Sequence, residues 1–317
     1  MKYLNSILIG IICLAFCEEV FAQADIVMST HWYNRAGYNP AFIARPDYLY
    51  LFSNYRRQWV GVKGAPEVLN VQASEYIHNL RSAFGISMMV DNIGASRVLN
   101  PMILYAYRIQ GSHNRSLSLG LSGGVFQRSV DASGFNPDNP NDPAVLYDQE
   151  KIIRPDANIG IEFQTSSFIF GLSSTHLFSI GNPDDSYLNS NHQYGYAIYK
   201  NNKSENYFYK LEILAVYRDN ITLVEGNAFI RFKHSKGLMK GPREIFDFGI
   251  SYRSSRQMIF LVGILLTPNL RLGYAYDHSF IKSYYASGTH ELMLEYRIFT
   301  KAASTKYICG RRRVFRN

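Results

Sequence analysis

A glycine-flanked serine is the pattern in this chain that could most directly support catalysis. Residues 120–124 match the G-x-S-x-G nucleophile elbow of hydrolases, with Ser122 as the nucleophile. That motif needs a sharp turn between a strand and a helix, which lifts the serine above a sheet. Residues 125–128 instead continue an alternation of apolar and polar side chains, so Ser122 is predicted to lie within a strand between the inward-facing Gly120 and Gly124. The sequence predicts no catalytic residue.

Two further patterns could bind a metal ion, but neither has the required spacing. The eight histidines lack the spacing of a zinc site. Residues 136–143 are rich in oxygen ligands, yet they lack the glycine and the terminal glutamate of a calcium loop, and turns bounded by proline explain them better. The sequence therefore predicts neither a metal site nor a cofactor.

The N-terminal residues predict export. A basic start, an apolar stretch at residues 7–16 and a small-residue exit indicate a signal peptide at 1–22. A lipoprotein signal ending at Cys17 is the alternative, but the residue before that cysteine is too bulky for such a signal. Removal of the signal peptide leaves Cys309 as the only thiol, which excludes an internal disulfide.

A period of two recurs along most of the remaining chain and predicts β-strands, because successive side chains on a strand point to opposite faces. One face has long and aromatic apolar side chains and the other has charges of both signs, a pattern typical of lipid outside and a polar lumen inside. The predicted fold is all-β, a transmembrane antiparallel outer-membrane β-barrel. Its fourteen strands are predicted near residues 47–56, 67–75, 82–91, 100–109, 116–129, 156–164, 167–177, 193–200, 206–217, 222–233, 244–253, 257–266, 270–278 and 289–299.

The strand pattern also gives the domain organisation. The connections after odd-numbered strands include the longest ones, with residues 92–99 among them, so these connections are expected to face outside and the others the periplasm. The faces of strands 1 and 12 cannot be assigned, because both strands alternate poorly. The predicted segments are a signal peptide at 1–22, a periplasmic N-terminal segment at 23–46, a transmembrane barrel at 47–299 and a basic C-terminal tail at 300–317.

The formal net charge of +8 is concentrated in this tail, which has six basic residues and no acidic one. An exported chain does not meet nucleic acid, so no nucleic-acid partner is predicted. The tail is interpreted as a solvated extension or as a docking segment for an acidic partner.

The first predicted external turn is the candidate partner-binding site. Two glycines and a proline set this turn, and Trp59 is one of only two tryptophans in the chain. An interfacial tryptophan at the rim of the aromatic belt is the alternative, which the pattern alone favours. The candidate residues are Arg57, Gln58, Trp59, Gly61, Gly64, Ala65 and Pro66.

Several blocks of the chain together match one known family. They are Asn39, Pro40 and Ala41, the turn from Arg57 to Gly61 with Gly64, Ala65 and Pro66, then Gly85, Ser87, Asp91, Asn92, Ile93 and Gly94, and His290, Glu291, Tyr296, Arg297 and Phe299 in the last strand. These blocks resemble the PorP/SprF family from about residue 23 to 299. The tail at 300–317 departs from the family, whose usual members end soon after the final aromatic residue.

The resemblance implies a non-enzymatic outer-membrane component of the type IX secretion system of Bacteroidetes, associated with gliding motility. The implied partners are other type IX secretion components on the periplasmic side, an exported surface protein as client, and outer-membrane lipids. Two alternatives stay open. A passive porin-like channel for small solutes requires an open lumen, and an outer-membrane enzyme requires acidic or serine residues that converge on the outer rim.

Overall fold

The chain forms fourteen antiparallel strands that close into one barrel, with β1 paired to β14. The computed structural model describes residues 28–45, 48–131, 150–180, 190–234, 243–281 and 288–299. The predicted fold and strand count are confirmed. The strands are β1 (Tyr48–Arg57), β2 (Glu67–Ile77), β3 (Ser82–Ile93), β4 (Ser96–Gln110), β5 (Ser116–Val130), β6 (Glu150–Gln164), β7 (Phe168–Thr175), β8 (His192–Asn201), β9 (Tyr207–Arg218), β10 (Ile221–His234), β11 (Arg243–Arg253), β12 (Gln257–Leu265), β13 (Leu270–Ser279) and β14 (Thr289–Phe299).

The connections define two ends of the barrel. We call the end with the connections after odd-numbered strands the odd-turn end, and the end where β1 begins and β14 ends the even-turn end. The connections at 58–66, 131–149, 176–191 and 280–288 lie at the odd-turn end. Most of those at the even-turn end are short, as at 165–167, and 235–242 is the exception.

One connection at the odd-turn end is shorter than the sequence predicts. Residues 92–99 were expected to form a long connection, but β3 and β4 are joined by residues 94–95 alone. The polar side chains of Asp91 and Asn92 interrupt the apolar alternation, whereas the backbone ladder with β4 continues through them. Hydropathy alone therefore underestimates how far these strands extend.

The two faces of the barrel wall differ as the alternation predicts. On β14, Leu292, Leu294 and Tyr296 are exposed on the outer surface, while Glu291 and Glu295, on the opposite face of the strand, are buried in the lumen. The outer face is therefore suited to lipid and the inner face to ion pairs. No helix in the described part of the chain is long and apolar enough to span a membrane.

Residues 28–45, which we call the luminal segment, lie inside the barrel. At the odd-turn end the Thr30 backbone amide donates to Glu291 on β14 at 3.0 Å. At the even-turn end the Ala44 carbonyl accepts a hydrogen bond of 2.9 Å from Nη1 of Arg108 on β4. The segment therefore passes along the lumen before the chain turns back into β1.

This position corrects the prediction of a periplasmic segment at 23–46, as far as residues 28–45 are concerned. Apolar side chains of the luminal segment pack against inward-facing apolar residues, among them Phe52 on β1 and Leu261 on β12. These two strands alternate poorly because one face meets the outside of the barrel and the other meets the luminal segment. The predicted signal peptide and basic tail lie outside the described residues.

Candidate functional site

A short 3-10 helix at Pro40–Ile43 lies near the C-terminal end of the luminal segment. Asn39 caps it, because Oδ1 accepts from the Ala41 amide at 3.0 Å while Nδ2 donates to the Tyr196 hydroxyl at 2.9 Å. The first helical residue is a proline, whose fixed φ suits that position. The backbone of Ala41 lies so close to Gly120 on β5 that a Cβ on the glycine would overlap it. This block therefore seats the segment against β5 and β8.

One glycine near Ser122 takes part in this packing. Ser122 lies within the continuous strand β5, and its hydroxyl accepts a hydrogen bond of 3.0 Å from Nδ2 of Asn158. A Cβ on Gly160 of β6 would overlap the side chain of Asn39, just as one on Gly120 would overlap the 3-10 helix. Gly120 and Gly160 make room for the luminal segment, whereas a Cβ on Gly124 would overlap Pro101 and Met102 of β4.

Buried ion pairs hold the start of the luminal segment. Arg56 on β1 bonds to Asp277 on β13 at 2.6 Å and to Glu291 on β14 at 3.1 Å, and these three side chains are at most 3% exposed. The Ser29 amide donates to Glu291 at 2.8 Å and its hydroxyl donates to Asp277 at 2.7 Å. An unpaired buried charge raises the free energy of the folded state, so these charges are stable only when they are paired. The paired cluster holds the start of the luminal segment next to the contact between β1 and β14.

A second cluster holds the middle of the luminal segment. Arg35 pairs with Glu162 on β6 at 3.0 Å. Its guanidinium lies 4.8 Å from the ring centroid of Phe42 and 5.2 Å from that of Tyr196, whose hydroxyl donates to Glu162 at 2.7 Å. Further hydrogen bonds join Tyr33 to Asp247, Asn34 to Gln72, and Lys210 to the Trp32 carbonyl.

The lumen retains a cavity of about 100 Å³ beside the luminal segment. Its lining is mixed, with the amides of Asn34, Asn70 and Asn100 next to Met102. This volume accommodates a few water molecules. Among the described residues, no group of three or more histidine, cysteine, aspartate or glutamate side chains is placed to bind a metal ion.

The predicted partner-binding residues lie together in the connection between β1 and β2, at the odd-turn end. The Gln58 amide donates to the Pro66 carbonyl at 2.9 Å, which extends the ladder past both strands. Trp59 has a φ of 44°, which is uncommon for a bulky residue, and Gly61 and Gly64 have φ values of 101° and 73°. The two glycines provide backbone conformations that other residues rarely adopt.

Backbone hydrogen bonds join this connection to both of its neighbours. The amide of Gly94, between β3 and β4, donates to the Gly64 carbonyl at 2.9 Å. The Val60 amide donates to the carbonyl of Gly288, just before β14, at 3.0 Å. A Cβ on Gly64 would lie 3.3 Å from the Gly94 Cα, so the two connections approach closely. The turn is therefore held in one conformation from two sides.

The turn presents two large side chains to solvent. Trp59 is 50% exposed, and the Arg57 side chain is 54% exposed and pairs with Glu67 at 3.2 Å. Pro66, the last residue of the turn, is buried. The sequence identified this turn but missed the luminal segment and its ion pairs. The inward glycines and the apolar inward faces of β1 and β12 are the features that could have revealed them.

Solved structures with similar barrels share little sequence with this chain. The Acinetobacter baumannii outer membrane protein Omp33 is 10% identical, with 80% of this chain and 99% of that one covered and a TM-score of 0.45. The Ralstonia pickettii toluene transporter TbuX is 9% identical, with 82% and 92% covered and a TM-score of 0.49. The CymD monoaromatic hydrocarbon channel is 11% identical, with 89% and 95% covered and a TM-score of 0.47.

Comparison with protein families identifies the family of this chain. No curated protein sequence matches the chain. The family model described as type IX secretion system membrane protein PorP/SprF matches residues 20–296. This match includes the luminal segment, the connection between β1 and β2, and nearly all of the barrel. The chain therefore belongs to the PorP/SprF family of type IX secretion system membrane proteins.

Proposed function

We propose that this outer-membrane component of type IX secretion is non-enzymatic and supports the export or surface anchoring of a client protein. The observation that carries the proposal is the rigid connection between β1 and β2, which exposes Trp59 and Arg57. These residue types are enriched among interface hot spots, and a preorganised loop loses little entropy when it binds. The client would dock on the turn at the odd-turn end.

This role requires the odd-turn end to face outside. The long connections at this end support that orientation, because outer-membrane barrels have short periplasmic turns and longer external loops. A labelling experiment tests it, with Lys63→Cys at the odd-turn end and Ser166→Cys at the even-turn end, each in a Cys309→Ser background. On whole cells an impermeant thiol reagent should label Lys63→Cys and spare Ser166→Cys, and the reverse result would invert the barrel.

Client display tests the docking role directly. In the double variant Arg57→Ala, Trp59→Ala the barrel should assemble at normal levels, while the amount of client on the cell surface falls. Loss of one hot-spot anchor typically costs about 2 kcal/mol of binding, a factor of about 30 in affinity. The control is Lys151→Ala, Phe178→Ala, which removes an exposed cation and an exposed aromatic ring elsewhere at the same end. Normal display in the first variant rejects the docking role.

The luminal segment argues against a passive porin-like channel. Residues 28–45 occupy the lumen from one end to the other and are tied to the wall by hydrogen bonds and by the buried ion pair of Arg35 with Glu162. Planar bilayers containing the full-length protein should therefore show no steady conductance of the size expected for an open barrel. A steady open-pore current that persists in every reconstituted preparation would favour the channel instead.

A further inference from the structure

A row of polar residues crosses the outer face of β1 to β6 near the odd-turn end. Successive members of the row face each other in the strand register, and they are Arg57, Glu67, Asn92, Arg97, Ser129 and Lys151. Arg57 and Glu67 form an ion pair at 3.2 Å. The part of the row on β4, β5 and β6 therefore places two further cations, Arg97 and Lys151, on either side of Ser129.

These two cations lie at the edge of the apolar band of the wall. The outward-facing residues at 153–163 of β6 are apolar, and those at 99–109 of β4 are apolar or aromatic. A rise of about 3.3 Å per residue and a tilt of about 40° give each run a height of about 25 Å, the height of the apolar band in outer-membrane barrels. Because Arg97 and Lys151 follow directly beyond these runs, they are expected at the level of the lipid headgroups.

The acidic residues nearest to these cations do not pair with them. In the ranges that the structure describes, the Arg97 guanidinium and the Lys151 ammonium form no hydrogen bond or ion pair, and Asp131 just after β5 is no exception. The backbone register places Glu150 opposite Val130, in the adjacent row that belongs to the inward face. The outer face here therefore retains a net positive charge at the level where lipid phosphates surround a barrel.

An apolar groove lies on the outer wall next to these cations. Gly123 on β5 faces outward, and no atom lies within 4 Å of the position that its Cβ would occupy. The glycine leaves a gap among larger side chains, including Ile103 and Val125, and the groove has a volume of about 430 Å³. Ile103 is 69% exposed, so the groove is open to the lipid. It lies on the same two strands as Arg97 and Ser129, closer to the middle of the apolar band.

The groove and the cations together identify the kind of ligand. A guanidinium binds a phosphate through two parallel hydrogen bonds, and the Ser129 hydroxyl, whose bond to the Arg97 carbonyl is long at 3.4 Å, can donate to the same phosphate. A free phosphate would leave the groove empty, whereas a lipid also has acyl chains at the depth of the groove. We propose that Arg97, Ser129 and Lys151 bind the phosphate of a membrane lipid, while one of its acyl chains occupies the groove at Gly123.

This lipid site is separate from the client-docking turn. The orientation of the barrel decides only which leaflet supplies the lipid, and binding of lipid by the purified protein requires no client. Failure of one proposal therefore leaves the other intact. The control variant of the display experiment, Lys151→Ala, Phe178→Ala, removes one cation of the lipid site. A loss of client display in that variant would assign the display to lipid binding rather than to the turn.

Native mass spectrometry of the full-length protein in detergent tests the lipid site with three probes. Dioleoyl phosphatidic acid has both the phosphate and the acyl chains, dioleoylglycerol has only the chains, and glycerol 3-phosphate has only the phosphate. The wild-type protein should retain one molecule of phosphatidic acid at concentrations at which it retains neither of the other two probes.

Three variants separate the contributions of the cations and the groove, once each has shown the gel mobility of the wild type without heating. Arg97→Gln, Lys151→Gln should weaken the binding of phosphatidic acid about tenfold or more, because the charge-assisted bonds to the phosphate are lost. Gly123→Leu fills the groove, keeps both cations and should weaken the binding about fivefold. The control Arg115→Gln, Lys203→Gln removes two exposed cations at the even-turn end and should change the affinity by less than about twofold.

Three outcomes would overturn the proposal. The first is retention of dioleoylglycerol as tightly as phosphatidic acid, which would indicate a general apolar surface. The second is an equal loss of affinity in the cation variant and in the control, which would indicate an effect of net charge. The third is unchanged binding in Gly123→Leu together with tight binding of glycerol 3-phosphate, which would indicate a site for a free anion. Retention of one phosphatidic acid that both the cation and the groove variants weaken supports the lipid site.

Discussion

The two tryptophans of this chain lie in regions that differ in almost every physical respect. Trp32 in the luminal segment is 3% exposed and lies 5.1 Å from the ring of Phe229. Trp59 in the connection between β1 and β2 is 50% exposed. The luminal segment is held by buried ion pairs and apolar packing, whereas backbone hydrogen bonds hold the connection.

Both regions contain residues of the blocks that resemble the family, but these residues have different structural roles. Asn39 and its neighbours fit a close approach to Gly120 and Gly160 inside the barrel. Gly61 and Gly64 set the backbone of the connection between β1 and β2, which leaves its large side chains exposed. A family motif can therefore mark internal packing in one place and an exposed turn in another.

The two tryptophans should respond very differently to truncation. Trp32→Ala should destabilise the barrel by about 4 kcal/mol, because it leaves a cavity beside Phe229. Trp59→Ala should cost less than about 1 kcal/mol, since half of its ring already meets solvent. Urea unfolding of both variants, followed by gel mobility without heating, measures the difference. Similar losses would mean that the turn is a structural element as much as the luminal segment.

Consecutive arginines on opposite faces of β1 give a second matched pair. Arg56→Ala should cost about 3 kcal/mol, because it leaves Asp277 and Glu291 buried without their cation. Arg57→Ala removes an exposed pair with Glu67 and should cost no more than about 1 kcal/mol. The same unfolding assay applies, and a larger loss in Arg57→Ala would contradict the assignment of the two faces.

Two glycines on β5 test the fit of the luminal segment on a smaller scale. Gly120→Ala should cost about 2 kcal/mol, because the new methyl group would overlap Ala41 and force the segment to shift. Gly123→Ala faces open space outside the barrel and should change stability by less than about 1 kcal/mol. Equal stability of the two variants would show that the segment is not seated against β5.

Most of the strands could be predicted from the sequence because alternate residues face lipid and the lumen. Lipid requires apolar side chains, whereas the lumen accommodates polar and charged ones. On β13 and β14, where Arg271 and Glu295 alternate with apolar side chains, the predicted faces match the structure. The strand ends near Asp91 and Asn92 were missed because polar side chains can continue a backbone ladder.

The luminal segment was missed because it has no period of its own. Its side chains follow the shape of the cavity that fourteen strands enclose, and that shape exists only after closure. Tyr50 and Phe52 on β1 obscured their strand's faces for the same reason, as they pack against the segment. The candidate turn was found from its composition, but its bonds to Gly94 and Gly288 join residues distant in sequence.

The position of the luminal segment has a consequence for assembly. Thr30 and Glu291, which are 261 residues apart in sequence, become neighbours only when the first and last strands pair. Contacts between such distant residues make folding slow, because the chain entropy is lost before the contacts form. Ser29 and Thr30 bond to β13 and β14, and Arg56 of β1 bonds to the same acids. We expect the pairing of β1 with β14 to form last. The luminal segment then stabilises this pairing and slows the separation of the two strands in the folded barrel.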